Sequence, residues 1–188
     1  MNTKTKKIVQ SFIIVPLLTT TLSINAVTTA IDQSVAKITQ AKAISAEELA
    51  LQKDRETKAA KIDAYYAKYN MPLEGYGMKM VLEAEEHGID WRLIPAISVR
   101  ESTGGINQCK KASFNPFGWG SCRIGFKSYD HAIETLAMNL GGDNPNTATH
   151  YDNKSTHEIL QKYNPPSVVP KYAEQVIAIM EKIDDIQG

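Results

Sequence analysis

Glu101 is the residue in this chain best placed to move a proton. It closes a helix-periodic run that opens after Asp90, carries Leu93, Ile94 and Ile97 at three- and four-residue spacings, and stops at Gly104 and Gly105. This pattern predicts Asp90 as the N-cap, puts Ile94, Ile97 and Glu101 on one face, and leaves the carboxyl in the last turn. An apolar face and the negative end of a helix dipole both favour a neutral carboxylic acid, the form that donates a proton. An acid at that end opposes the dipole at a cost of about 0.3–1 kcal/mol, where Lys or Arg would be favourable. The plain alternative is a solvated helix-end glutamate with no role.

Cleaving a glycosidic bond needs such a donor at the leaving oxygen and a concave surface that grips a sugar. The segment NPFGWG, residues 115–120, offers the parts. Asn115 can hydrogen-bond a ligand, Phe117 and Trp119 can stack on sugar faces, and the glycines at 118 and 120 let backbone approach closely. Each has an alternative: Asn-Pro is an ordinary turn signal, and Phe117 reads more simply as a core plug beneath a loop. Further on, Tyr163 and Asn164 put a phenol and an amide at a helix end just before Pro165. If that corner lies over Glu101, the Tyr163 hydroxyl can bond and orient the carboxyl; if not, it packs a helix end.

These groups must be positioned by helices. Ser45 and Glu48 form a capping box for a helix from Ala46 to about Tyr69, whose middle lacks large apolar side chains and whose end offers Ile62, Tyr65 or Tyr66, and Tyr69 for docking. A helix over residues 76–87 turns Met78, Val81 and Leu82 inward and stops at Gly88. Residues 104–127, rich in glycine and holding both cysteines, read as an irregular segment or a short β-hairpin. Ser128 caps a helix to Leu140 with Ile133, Leu136, Ala137 and Leu140 inside; residues 141–153 read as a loop. A second capping box, Ser155 with Glu158, opens a helix to Tyr163, cut off by Pro165 and Pro166. The final helix starts near Pro170 and buries Tyr172, Val176, Ile179, Met180 and Ile183.

The bulk properties narrow the setting. Lys4, Lys6 and Lys7 precede an interrupted apolar run and small residues at 26 and 30, the pattern of an export leader over residues 1–26. A membrane tether follows only if that leader stays uncleaved. Residues 27–71 read as a helical spacer, with a coiled-coil partner helix as its competing reading, and residues 72–188 as a mainly α domain. The leader holds three of the 21 basic residues and none of the 21 acidic ones, so the rest carries a net charge of −3. Such a chain has no basic footprint for nucleic acid; a neutral or weakly polar polymer fits better. Cys109 and Cys122, the only cysteines, are expected to form a disulfide in an exported chain, with two free thiols as the alternative. Neither stands at zinc-ligand spacing from another Cys or a His, and His87, His131, His150 and His157 read as surface or helix-end residues, so neither metal nor cofactor is expected.

The order ISVRESTGG, then NPFGWG, then QKYNPPSVVPKYAEQVIAIM resembles the lysozyme-like superfamily, especially the soluble lytic transglycosylases and bacterial cell-wall glucosaminidase domains. Glu101 with Ser102 matches the motif that ends their catalytic helix, and Tyr163 with Asn164 matches the turn before their closing helix. Tyr172 matches the aromatic after that turn. The resemblance covers about residues 73–186. It implies a lysozyme-like helical domain, Glu101 as catalytic acid, and Ser102, Asn115, Trp119, Tyr163 and Asn164 as substrate-contacting residues on peptidoglycan glycan strands outside the cell. Two departures concern the bond and the product: NPFGWG stands where the transglycosylases carry Gly-Leu-Met-Gln, and two prolines follow Tyr-Asn in place of Ala-Gly. One carboxylate suffices for anhydro-product formation, whereas a hydrolase often uses a second, for which Asp130, Asp143 and Asp152 are the candidates. A non-catalytic glycan-binding module of the same fold is the alternative from another class.

Overall fold

The computed structural model describes residues 24–187, and the chain divides into two units, residues 1–46 and 47–188. The expected leader lies outside the described residues except for its last three positions. Among the described residues the secondary structure is helical, with no strand. No helix there is long and apolar enough to cross a membrane.

Helix α1 (Ile24–Lys68) runs unbroken because no glycine or proline falls between 24 and 68 and Ala recurs throughout. Ser45 therefore does not cap a new helix: its hydroxyl donates to the Lys42 carbonyl at 2.9 Å inside a continuous one. Side chains at 32–40 and 42–50 are exposed, Val35, Ile38 and Leu49 among them. Within the second unit the helix changes character, and Ala59, Ile62, Tyr65 and Tyr66 are buried in the core. The docking stripe is thus as expected apart from Tyr69, which stays exposed, and the core begins well before residue 72. Asn70 in the left-handed region ends the helix, and the Met71 amide donates to the Tyr66 carbonyl at 2.9 Å.

α1 also caps its neighbour. Helix α2 (Gly77–Glu86) has no side-chain cap of its own; instead Asp63 of α1 accepts from the amides of Gly75 and Gly77, both at 2.9 Å. A Cβ at Gly77 would stand 2.4 Å from the Ala59 carbonyl oxygen, so only glycine lets the two helices approach. This contact sets the inward face of α2 as Gly77, Met80, Val81 and Ala84. The expected inward Leu82 is exposed and Met78 only half-buried, because the face was chosen by α1.

Helix α3 (Leu93–Ser102) begins after a turn, and Asp90 is not its N-cap. The Asp90 carboxylate instead accepts from the Arg92 amide at 2.9 Å and pairs with the Arg92 guanidinium at 2.7 Å. Ile94 and Ile97 are fully buried. The Tyr66 hydroxyl, also fully buried, shares a 2.8 Å hydrogen bond with the Ser98 hydroxyl and so pins α1 to α3.

Residues 103–128 form the irregular segment; the β-hairpin alternative is absent, its place taken by isolated backbone hydrogen bonds such as that from the Phe126 amide to the Ser113 carbonyl, 2.8 Å. Helix α4 (Tyr129–Leu140) is capped by Ser128 and buries Ile133, Leu136, Ala137 and Leu140 as expected. The stretch expected to be a plain loop contains a one-turn helix, α5 (Ala148–Tyr151), which buries Tyr151. Helix α6 (Thr156–Tyr163) carries the full Ser155–Glu158 capping box. Helix α7 (Tyr172–Asp184) buries Tyr172, Val176, Met180 and Ile183, while Ile179 is only partly buried. Its most extensive packing is with α3.

Candidate functional site

The α3–α7 pairing brings Glu101 to Tyr172. Glu101 stands in the last turn of α3, half-buried, and the Tyr172 hydroxyl at the start of α7 donates to its Oε1 at 2.6 Å. Tyr172 is almost completely buried, and burial together with the adjoining Glu101 raises its phenol above the ordinary range, so it remains a donor. The other oxygen, Oε2, faces Gly118, where a Cβ would lie 3.0 Å away. Gly118 has φ 64°, so glycine serves there twice: for the backbone conformation and for the space beside the carboxyl.

Tyr163, for which bonding the Glu101 carboxyl was one of two readings, bonds the backbone instead. Its hydroxyl donates to the Phe117 carbonyl at 2.5 Å and ties the end of α6 to the irregular segment. Its ring stacks on Tyr172, with centroids 6.1 Å apart and planes 12° apart. Burial and then Glu101 raise its phenol well above the usual range. The two tyrosines thus divide the work: Tyr172 holds the carboxyl and Tyr163 holds the facing wall.

Two residues expected to touch a ligand are instead consumed by the fold. Asn115 is fully buried; its amide donates to the carbonyls of Trp119 and Ile124, both at 2.9 Å, and its carbonyl accepts from the Trp119 amide at 3.0 Å. Those three bonds close the turn that presents Trp119. The Ser102 hydroxyl, also buried, lies 2.6 Å from the Pro116 carbonyl and accepts from the Gly105 amide at 3.0 Å, fixing where the chain leaves α3. Phe117 is a fully buried plug, the simpler of its two readings. Cys109 and Cys122 form a disulfide across this segment. Between Trp119 and Cys122 the chain makes a short turn in which Gly120, Ser121 and Cys122 all take positive φ.

What results is a cleft of about 550 Å³, lined among others by Glu101, Trp119, Tyr151, Tyr163, Asn164 and Val168. Trp119, Tyr163 and Asn164 therefore line one cleft with Glu101, while Ser102 and Asn115 stand behind the wall. Tyr151 and Val168 are additions. The Trp119 ring lies 5.8 Å from Tyr163 and 6.5 Å from Tyr151, and Val168 is 70% exposed at the rim. Neither announced itself in the sequence: Tyr151 sits in a non-periodic stretch, and Val168 between prolines.

Among the described residues, Glu101 is the one charged side chain lining this cleft. Asp130 and Asp152 are exposed elsewhere, and Asp143 pairs with His87 at 2.6 Å. Among the described residues no group of three or more His, Cys, Asp or Glu side chains could hold a metal ion. Chemically, the arrangement offers one carboxyl with an oxygen fixed by a phenol and an oxygen turned to the cleft, beside aromatic rings and otherwise neutral groups. Neither a protein-family model, nor a curated protein, nor a solved structure matches the chain.

Proposed function

We propose that this protein is an exported, lysozyme-like enzyme that cleaves the glycosidic bond between N-acetylmuramic acid and N-acetylglucosamine in peptidoglycan, in the manner of a lytic transglycosylase. The observation that carries the reading is the Glu101 carboxyl in an aromatic cleft, with Tyr172 on Oε1 and Oε2 beside Gly118. Aromatic rings suit the apolar faces of sugars, and a neutral lining suits an uncharged sugar backbone. The disulfide supports an oxidising, extracellular setting, and the leader pattern agrees with it.

In this mechanism Glu101 gives its proton to the glycosidic oxygen as the bond to the anomeric carbon breaks. The neighbouring acetamido oxygen supports the cationic centre. The Glu101 carboxylate, stabilised by the Tyr172 hydroxyl, then takes the proton of the sugar 6-hydroxyl as that oxygen bonds to the anomeric carbon, giving an anhydro ring. Among the described residues a single carboxyl lines the cleft, which favours this route over hydrolysis with a second carboxylate.

Mass spectrometry of purified peptidoglycan digested with the protein tests the reading. Anhydro-muramyl ends are the expected product. Reducing ends would make it a hydrolase relying on substrate assistance, and an unchanged polymer that still binds the protein would make it a glycan-binding module.

A further inference from the structure

Arg100 immediately precedes Glu101, so its side chain leaves α3 on a different face, toward α7. Its Nε donates to the Gln175 side-chain oxygen at 2.9 Å, and its guanidinium carbon lies 5.5 Å from the centre of the Tyr172 ring. Tyr172 and Gln175 are three residues apart on the first turn of α7, so one arginine reaches both. Tyr163 meanwhile stacks parallel to the same ring. The Tyr172 ring is thus held by a cation, a stacked ring and the carboxyl its hydroxyl points at. Arg100 makes no salt bridge among the described residues; its charge is directed at the ring and at the end of α3.

We propose that Arg100 is a positioning residue that acts through Tyr172 to decide which oxygen of Glu101 carries the proton. The inference rests on the reading of Glu101 as a proton donor. A cation beside the phenol makes its O–H a better donor, and Gln175 fixes the guanidinium that supplies the field. A strong hydrogen bond into Oε1 leaves that oxygen as an acceptor, so the acidic proton resides on Oε2, beside Gly118. When that proton leaves, the O–H bond of Glu101 breaks, an O–H bond to the glycosidic oxygen forms, and the carboxylate charge stays against Tyr172 with Arg100 behind it.

A double-mutant cycle on the full chain tests this, with muropeptide release as the rate. Arg100→Met is expected to lower kcat about tenfold while KM stays within about twofold. Arg100→Lys should recover part of the loss, since it restores the cation. In a Tyr172→Phe background, adding Arg100→Met should change kcat less than about twofold, because the group it acts through is gone. Effects that simply multiply would overturn the proposal, as would a fall in thermal stability with kcat unaltered. A second measurement needs no turnover: nuclear Overhauser contacts between the Tyr172 ring and the Glu101 side chain should be strong in the wild type, weak in Arg100→Met and retained in Arg100→Lys. Unchanged contacts sink the positioning role whatever the activity. A wild type that releases no muropeptides while those contacts respond as expected sinks the enzyme reading alone.

Discussion

The two walls of the cleft are built by different physics. One is helical: Glu101 and Tyr172 stand on α3 and α7, behind them lie fully buried Ile94, Ile97 and Val176, and the buried Tyr66–Ser98 hydrogen bond fixes α3 from the other side. The other is irregular: Gly118 to Ser121 hang on a disulfide, on three bonds from one buried amide, and on a single phenol from α6. The carboxyl stands on the wall whose geometry comes from repetitive packing, and it faces a wall whose geometry comes from a few specific bonds. Removing one side chain should therefore cost activity on the first wall and stability or shape on the second.

Glu101→Gln breaks the contrast most sharply. It should lower turnover on peptidoglycan by about a thousandfold or more, with an unfolding midpoint close to wild type. Residual activity within tenfold of wild type would remove Glu101 from the reaction. On the other wall, Cys109→Ser with Cys122→Ser should lower the free energy of unfolding by about 3 kcal/mol, read by urea titration followed by circular dichroism. Next, Asn115→Ala leaves the Trp119 amide and the carbonyls of Trp119 and Ile124 without their partner; a loss of about 2 kcal/mol is expected, with greater solvent access to Trp119 by acrylamide quenching. Tyr172→Phe should cost about tenfold in kcat and little in KM, since it removes one hydroxyl from the carboxyl and leaves the ring.

The smallest effect lies at the base of the helical wall. Burial opposes ionisation of Asp90, but the hydrogen bonds and charge of Arg92 outweigh it and lower its pKa below the ordinary carboxylate value. A carboxylate with a depressed folded-state pKa contributes stability above its unfolded value of about 4, and loses it as the pH falls through the folded value. Asp90→Asn should therefore cost about 1 kcal/mol near neutral pH, and the difference from wild type should shrink toward zero in acid. A constant difference across that range would mean the effect is packing alone.

The same division explains what the sequence discloses. Signals carried within a few residues were legible: the Ser128 cap, the Ser155–Glu158 box, and the apolar face of α4. Features decided by a distant partner were not. Ser45 and Glu48 have the form of a capping box, yet no glycine or proline before them breaks the helix, which continues through them. The inward face of α2 depends on where Asp63 and Ala59 of α1 arrive. At the site, a glutamate at a helix end could be found, but which tyrosine would reach it could not, because both lie at the edges of helices and only packing aims their hydroxyls. Asn115 and Ser102 carry groups suited equally to a sugar and to a backbone, and only the buried hydrogen bonds show that the backbone holds them. Tyr151 lies on a single helical turn too short to impose a period.

The bond between Glu101 and Tyr172 joins positions 71 apart in sequence, and Lys61 reaches the Asp184 carboxylate across 123. A chain emerging amino-terminus first presents α3 and its carboxyl well before α7. The closing helix supplies both the phenol that meets Glu101 and one of the contacts that hold α1. The carboxyl and its phenol therefore meet only once α7 has docked on α3.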